Sequence, residues 1–190
     1  MQENLALAER TALPDALRVL LAEYPREGWD RDPGFNELIR FWLDRHLMFR
    51  RLMAEMSTGT QSLLDRKIEA DRFLPMVSRY GGMFVNGLHE HHTIEDTYYF
   101  PKLVTKDARI EKGFDILDRD HQALDTLLSD FVTRANDVIN VAAERDKLQT
   151  TAGRFGEELA TLALLMDRHL VDEEELIVPV ILRYGADGLG

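Results

Sequence analysis

The sequence predicts an all-α fold, an antiparallel up-down four-helix bundle with a short extra N-terminal helix, on three observations. Apolar residues recur at helical spacing along nearly the whole chain. No alternating apolar and polar run is bounded by turn residues in the manner of a strand. Four long periodic segments are joined by short links, for which antiparallel packing is the simplest arrangement. At 190 residues and 45% hydrophobic content the chain suits one domain with one core.

The elements follow in order. Pro14 opens the amphipathic stretch PDALRVLLAEY in the first-turn position that proline tolerates, and the stretch ends before Pro25. REGWDRDPG, Arg26 to Gly34, reads as a loop. Residues 1–34 therefore form an N-terminal helix and loop, 35–184 the bundle, and 185–190 a tail expected to fray. The first long helix runs from Phe35 to Met56 and stops at STGT. Gln61 to Leu74 is a short helix or an irregular segment interrupted by Pro75. The second long helix reaches Phe100, with Pro101 as its stop; Asp107 to Gly113 connects to a third, Phe114 to about Val138, and a fourth covers roughly Ala143 to Tyr184.

Composition narrows the function. The net charge of −11 and the scattering of 23 lysines and arginines argue against binding a phosphate backbone, so no nucleic-acid partner is expected. Without cysteine, any metal must sit among nitrogens and oxygens. The N-terminus lacks a basic start followed by an apolar run, and the longest near-apolar stretch, LATLALLM, is too short to span a bilayer, so no membrane association and a cytoplasmic location are expected.

Half of the six histidines fall in LHEHHTIEDTYYFP, Leu88 to Pro101. A helix turns about 100° per residue, so side chains four apart share a face. His91 and Glu95 lie on the apolar stripe with Phe84, Leu88, Ile94 and Tyr98, whereas His89 and Asp96 fall opposite it. His92, about 100° from His91, is on the edge, and its part in any site stays open. His169 and Glu173 align with Leu162, Leu165, Met166, Leu176 and Val180, leaving Glu174 and Asp167 on the far side. His46 shares a face with Ile39, Trp42 and Met53, and His121 with Leu117, Leu124 and Leu128, so each long helix aims one histidine inward.

A repeat runs through these positions. His91 is followed by Glu95 and Pro101 at four and ten residues, and His169 by Glu173 and Pro179 at the same intervals; a lone histidine, His46 or His121, precedes each pair. Two similar hairpins would bring four imidazoles and two carboxylates together. A carboxylate on an apolar face is costly unless paired, protonated or bound to metal. This donor set suits two divalent first-row ions bridged by the glutamates and a water-derived oxygen; manganese, zinc or a mixed pair would also be accepted.

The ordered pattern, His46, then HHTIE with His91 and Glu95, then His121, then HLVDE with His169 and Glu173, resembles the haemerythrin-like family, also called the HHE cation-binding domain. EDTYYFP also resembles the ending of that family's second helix, and the likeness covers roughly Phe35 to Leu182. The resemblance implies a four-helix bundle, two non-haem iron ions joined by an oxo or hydroxo bridge, and O2 or related small oxidants, NO or peroxide, as ligands.

The chain departs from the oxygen-carrying members, which place two histidines four apart on the third helix where this chain has HQALD, with His121 and Asp125. Asp125, about 40° from His121, is a candidate ligand in the missing histidine's place or an acceptor fixing a histidine tautomer. A site richer in carboxylate favours the ferric state, which shifts the expectation from carrier toward sensor or scavenger. Tyr98, one turn past Glu95, is a candidate proton donor to bound peroxide or simply a core tyrosine with its hydroxyl satisfied locally. Gly87 leaves room for a diatomic ligand or for close helix packing. The alternative function is a di-iron peroxide-decomposing, catalase- or peroxidase-like enzyme of oxidative or nitrosative stress defence. Leu17, Leu20, Leu21 and Trp29 of the N-terminal segment offer a protein-partner or homodimer surface, or a cap on the bundle.

Overall fold

The computed structural model describes residues 5–189; residues 1–4 and Gly190, which close the expected N-terminal and tail segments, lie outside it. The described residues are helical, with no strand among them. After a 3-10 turn at Asp15–Leu17 come α1 (Val19–Glu23), a second 3-10 segment at Arg26–Arg31, α2 (Glu37–Leu64) and α3 (Ala70–Ile94). A π turn at Glu95–Tyr99 leads into α4 (Phe100–Leu103), and a 3-10 turn at Ala108–Ile110 into α5 (Glu111–Asn140) and then α6 (Arg145–Tyr184). None of these helices is long and apolar enough to cross a membrane.

Several boundaries differ from expectation. Gln61 to Leu74 is not a separate segment interrupted by Pro75: α2 takes its start, and α3 begins at Ala70 with Pro75 inside it. α2 does not stop at STGT: the Thr60 hydroxyl donates to the Met56 carbonyl at 2.7 Å, returning its polar group to the helix, and a Cβ at Gly59 would sit on the Met76 methyl. Its start is set by Asn36, whose side chain accepts from the Ile39 N–H at 3.1 Å. Pro101 does not end its helix. The Phe100 N–H instead bonds the Glu95 carbonyl, and the widened turn absorbs a proline that has no proton for Thr97 and would crowd its carbonyl. The described tail residues, 185–189, are not frayed, because Lys102 holds the Gly188 carbonyl at 2.8 Å and Leu189 is buried. Gly185, with φ of 74°, stops α6 in the left-handed region that a glycine adopts without a Cβ clash.

The contacts divide the chain into two units. One comprises residues 1–47, 91–123 and 167–190. Its apolar cluster takes Ile39 and Trp42 from α2, Phe100 and Leu103 from α4, Phe114 and Leu117 from α5, and Leu176, Val180 and Ile181 from α6. Leu17, Leu20 and Trp29 are buried in the same cluster, with Leu21 packed against it, so the N-terminal segment caps this core.

The other unit comprises residues 48–90 and 124–166. Phe49, Phe84, Phe131 and Phe155 form a chain of ring contacts through it. Gly87 belongs here: a Cβ on it would press on Phe49 at 3.4 Å, so its role is close packing rather than a ligand pocket.

Candidate metal centre

The site is built in the first unit. His46 comes from α2, His91 and His92 from the last turn of α3, Glu95 from the π turn, His121 from α5, and His169 and Glu173 from α6. All seven are buried. They fall into two groups whose potential ligand atoms lie within 4.8 Å of one another: His46, His91, Glu95 and Glu173 in one, and His92, His121 and His169 in the other.

The two glutamates connect the groups. Glu95 places Oε1 2.9 Å from His91 Nε2 and Oε2 3.6 Å from His121 Nε2. Glu173 places Oε1 3.4 Å from His46 Nε2 and Oε2 3.5 Å from His169 Nε2. Each carboxylate thus offers one oxygen to each group. Seven buried polar atoms here have no hydrogen-bond partner among the described residues: both oxygens of Glu95, Oε2 of Glu173, both ring nitrogens of His92, and Nε2 of His121 and of His169. Burying a polar atom without a partner costs on the order of 1–3 kcal/mol, and a native site concentrates such atoms where another group is to bind them. Neutral imidazole nitrogens and carboxylate oxygens are the donors that first-row divalent ions accept, so the residues present fit a metal pair.

An outer ring orients the imidazoles. His46 Nδ1 lies 3.0 Å from Glu174 Oε1, His121 Nδ1 2.7 Å from Asp96 Oδ1, and His169 Nδ1 3.3 Å from Asp120 Oδ2. Each carboxylate favours a proton on Nδ1 and turns the Nε2 lone pair inward. The Trp42 indole N–H donates to Glu173 Oε1.

The placement departs from the sequence reading at several residues. Asp125 is exposed and belongs to neither group; Leu124 takes the buried position of that turn. His92, on its helical edge, belongs to the three-histidine group and is stacked on His121 with ring centroids 3.9 Å apart and planes at 12°. Tyr98, expected to face the site, is 38% exposed with the Lys102 ammonium over its ring. The π turn delays the register by one residue, and Tyr99 faces inward instead, edge-on to Trp42 at 4.8 Å. Glu174 and Asp96, expected opposite the core, back His46 and His121, while His89 is exposed as expected.

The family model of the hemerythrin HHE cation binding domain matches residues 37–186. The chain belongs to the hemerythrin HHE cation-binding family. No curated protein and no solved structure matches it. The hemerythrin domain begins one residue after the Asn36 cap of α2 and contains all seven residues of the two groups, whereas Arg10 and Arg26 lie ahead of it.

Burial and charge set the protonation of the metal-free site. Burial lowers His91 to about 3, lowers His92 well below its ordinary range, and lowers His169 despite Asp120. Burial also acts to lower His46, but Glu173 and Glu174 outweigh it and the ring is raised. Burial first, then the facing Glu173, push Glu95 well above the usual carboxyl range. Burial acts to raise Glu173 too, yet His46 prevails and holds it well below.

These shifts have a pH signature. As pH falls below the ordinary imidazole value of 6.5, the unfolded chain protonates His91, His92 and His169 while the folded chain does not, and stability is lost. Glu95 works in the opposite sense there, but it is one group against three. Above 6.5 the folded chain alone keeps a proton on His46, so stability falls as pH rises. The metal-free protein is therefore expected to be most stable at a pH of about 6.5. Urea unfolding of chelator-treated protein from pH 5 to 8 checks this; a steady climb toward pH 8 would contradict the assignment. Metal binding competes with protons for His46 and Glu95, so affinity should rise with pH.

Proposed function

We propose that the hemerythrin domain holds two non-haem iron ions and binds O2 or a related small oxidant, NO or peroxide, as a binding or sensing module on a four-helix bundle. The observation that carries the reading is the bridging arrangement of Glu95 and Glu173, each with one oxygen toward His46 or His91 and the other toward His121 or His169. One ion would be held by His46 and His91, the second by His92, His121 and His169, with both glutamates shared. A pair of ferrous ions supplies the electrons that reduction of O2 requires.

The chain's own residues govern access. A cavity of about 220 Å³ reaches His91 and Glu95 between Phe41, Trp42, Ile94 and Tyr99. A water molecule's share of the liquid is about 30 Å³, so a diatomic or peroxide has ample room. The lining is apolar apart from His91, Glu95 and Arg45, which suits a small, weakly hydrated ligand. With His92 in the set and Asp125 outside it, the donors are five imidazoles and two carboxylates. This is less anionic than a set that includes Asp125, which weakens the argument for ready oxidation to the ferric state and favours reversible binding.

One observation supports a second reading as a peroxide-decomposing enzyme. Tyr99 lines the same cavity as Glu95, and burial, reinforced by Tyr98 and Glu95, raises its hydroxyl so that it keeps its proton at neutral pH. Stopped-flow mixing of the reduced, iron-loaded protein with O2 separates the readings. Reversible binding predicts a spectral change that disappears when O2 is removed. Immediate, irreversible conversion to the ferric form, together with O2 evolution from added hydrogen peroxide that Tyr99→Phe slows at least tenfold, would favour the enzyme.

A further inference from the structure

Two arginines from the segment ahead of the family match end on opposite halves of the metal centre. Arg10, only 8% exposed, holds both oxygens of Asp120, one through Nη1 at 2.8 Å and one through Nη2. Its Nε donates to Asp172 at 2.9 Å, and Asp172 in turn accepts from the Leu13 N–H at 3.2 Å and from Arg168. Asp120 is the carboxylate behind His169, a member of the three-histidine group. Arg26 Nη2 donates at 2.7 Å to Glu174 Oε2, and Glu174 is the carboxylate behind His46, a member of the other group.

We propose that Arg10 and Arg26 are positioning residues, each fixing the donor geometry of one of the two ions, so that the N-terminal segment is a working part of the metal centre. The inference rests on the two-ion reading above. A buried carboxylate that meets only an imidazole N–H keeps spare lone pairs and freedom to tip. The planar guanidinium fork removes both, since its two parallel donors lock the orientation of the carboxylate plane. Asp120 locked in this way keeps the His169 proton on Nδ1 and its Nε2 lone pair aimed at the ion; Arg26 does not form the fork but holds Glu174 by Oε2 alone, which fixes Oε1 against His46. The two arms are separate in sequence and in partner. Arg10 spans α5 and α6 through Asp120 and Asp172, whereas Arg26 touches only Glu174 among the carboxylates of the site.

A purely structural role for these ion pairs predicts a different outcome from a positioning role. Arg26, with a side chain 43% exposed, is expected to accept glutamine without loss of the fold. Arg10→Gln would leave buried Asp120 without its cation and Asp172 with Arg168 alone, which endangers the fold, so Arg10→Lys, which keeps the charge and loses the fork, is the informative variant. The full chain is titrated anaerobically with ferrous iron against a competing chelator. Wild type should take up two ions; Arg26→Gln should weaken one of them about tenfold and leave the other, and Arg10→Lys should weaken the other one, within the range known for groups behind metal-bound histidines. Nitrogen-15 spectra of the metal-free chain, recorded at a pH above the raised His46 value so that the ring is neutral, should show His46 with its proton on Nδ1 in wild type and a tautomer mixture in Arg26→Gln. Loss from both ions equally, in step with a fall in melting temperature, or no change in either ion while wild type binds two, would overturn the proposal alone. A wild type that binds no ion would overturn the two-ion reading and this inference with it.

Discussion

Glu95→Gln is expected to make the metal-free protein more stable and unable to hold two ions together. Both Glu95 oxygens are buried, and the nearest ring, His91 at 2.9 Å, is held neutral by burial, so in the absence of metal the side chain carries either a charge with no cation beside it or a proton taken up at a cost. The amide has the same shape, no charge, and an NH2 group that can donate to the facing Glu173. The gain should be about 1–3 kcal/mol, or a rise of roughly 2–10 °C in melting temperature for a chain of this size. The same change removes an anionic oxygen from each ion, so iron should raise the melting temperature of wild type strongly and that of the variant little. Glu173→Gln should behave differently, because Glu173 is paired: it accepts from the Trp42 indole and faces His46, and its loss should destabilise the metal-free form. Paired thermal melts with and without iron read both effects. If Glu95→Gln destabilised the metal-free chain, Glu95 would be a structural anion and the bridging assignment would fail.

The contrast between the two glutamates shows what periodicity could convey. Rotation of about 100° per residue is a property of one helix, and it correctly set His46, His91, His121 and His169 and the two glutamates on buried faces. It says nothing about which neighbour covers the edge of that face. Asp120 and His92 sit about 100° from an inward histidine and Asp96 and Glu174 further round, yet each is claimed by a group from another element, Asp120 by Arg10, Glu174 by Arg26, Asp96 by His121, and His92 by His121 stacking. The displacement of Tyr98 by Tyr99 has a different origin. Pro101 was legible as a breaker, but a proline can end a helix or widen the turn before it, and only the packing of Phe100 and Leu103 into the core selects the second. The same holds for STGT, where Thr60 bonds back to Met56 and Gly59 admits Met76.

His92→Phe should halve the metal content while Asp125→Ala leaves it unchanged. Both His92 ring nitrogens are buried without a partner, at 5% residual exposure, so the metal-free chain already bears the cost of dehydrating them. Burial holds the ring neutral at physiological pH, which leaves a lone pair free for an ion. His121 and His169 alone would give the second ion two imidazoles and the shared carboxylates, one donor fewer than the three-histidine set. Phenylalanine retains the volume and the stack on His121 but offers no donor, so lost iron cannot be ascribed to a collapsed cavity. The metal-free variant should melt at or above the wild-type temperature, since the unsatisfied nitrogens are gone. Asp125, exposed and outside both groups, should accept alanine with a change of no more than about 0.5 kcal/mol and full metal content. Metal analysis of the purified variants gives the stoichiometry directly. Two ions retained in His92→Phe would make the ring a packing element; one ion lost from Asp125→Ala would return the third-helix carboxylate to the coordination sphere.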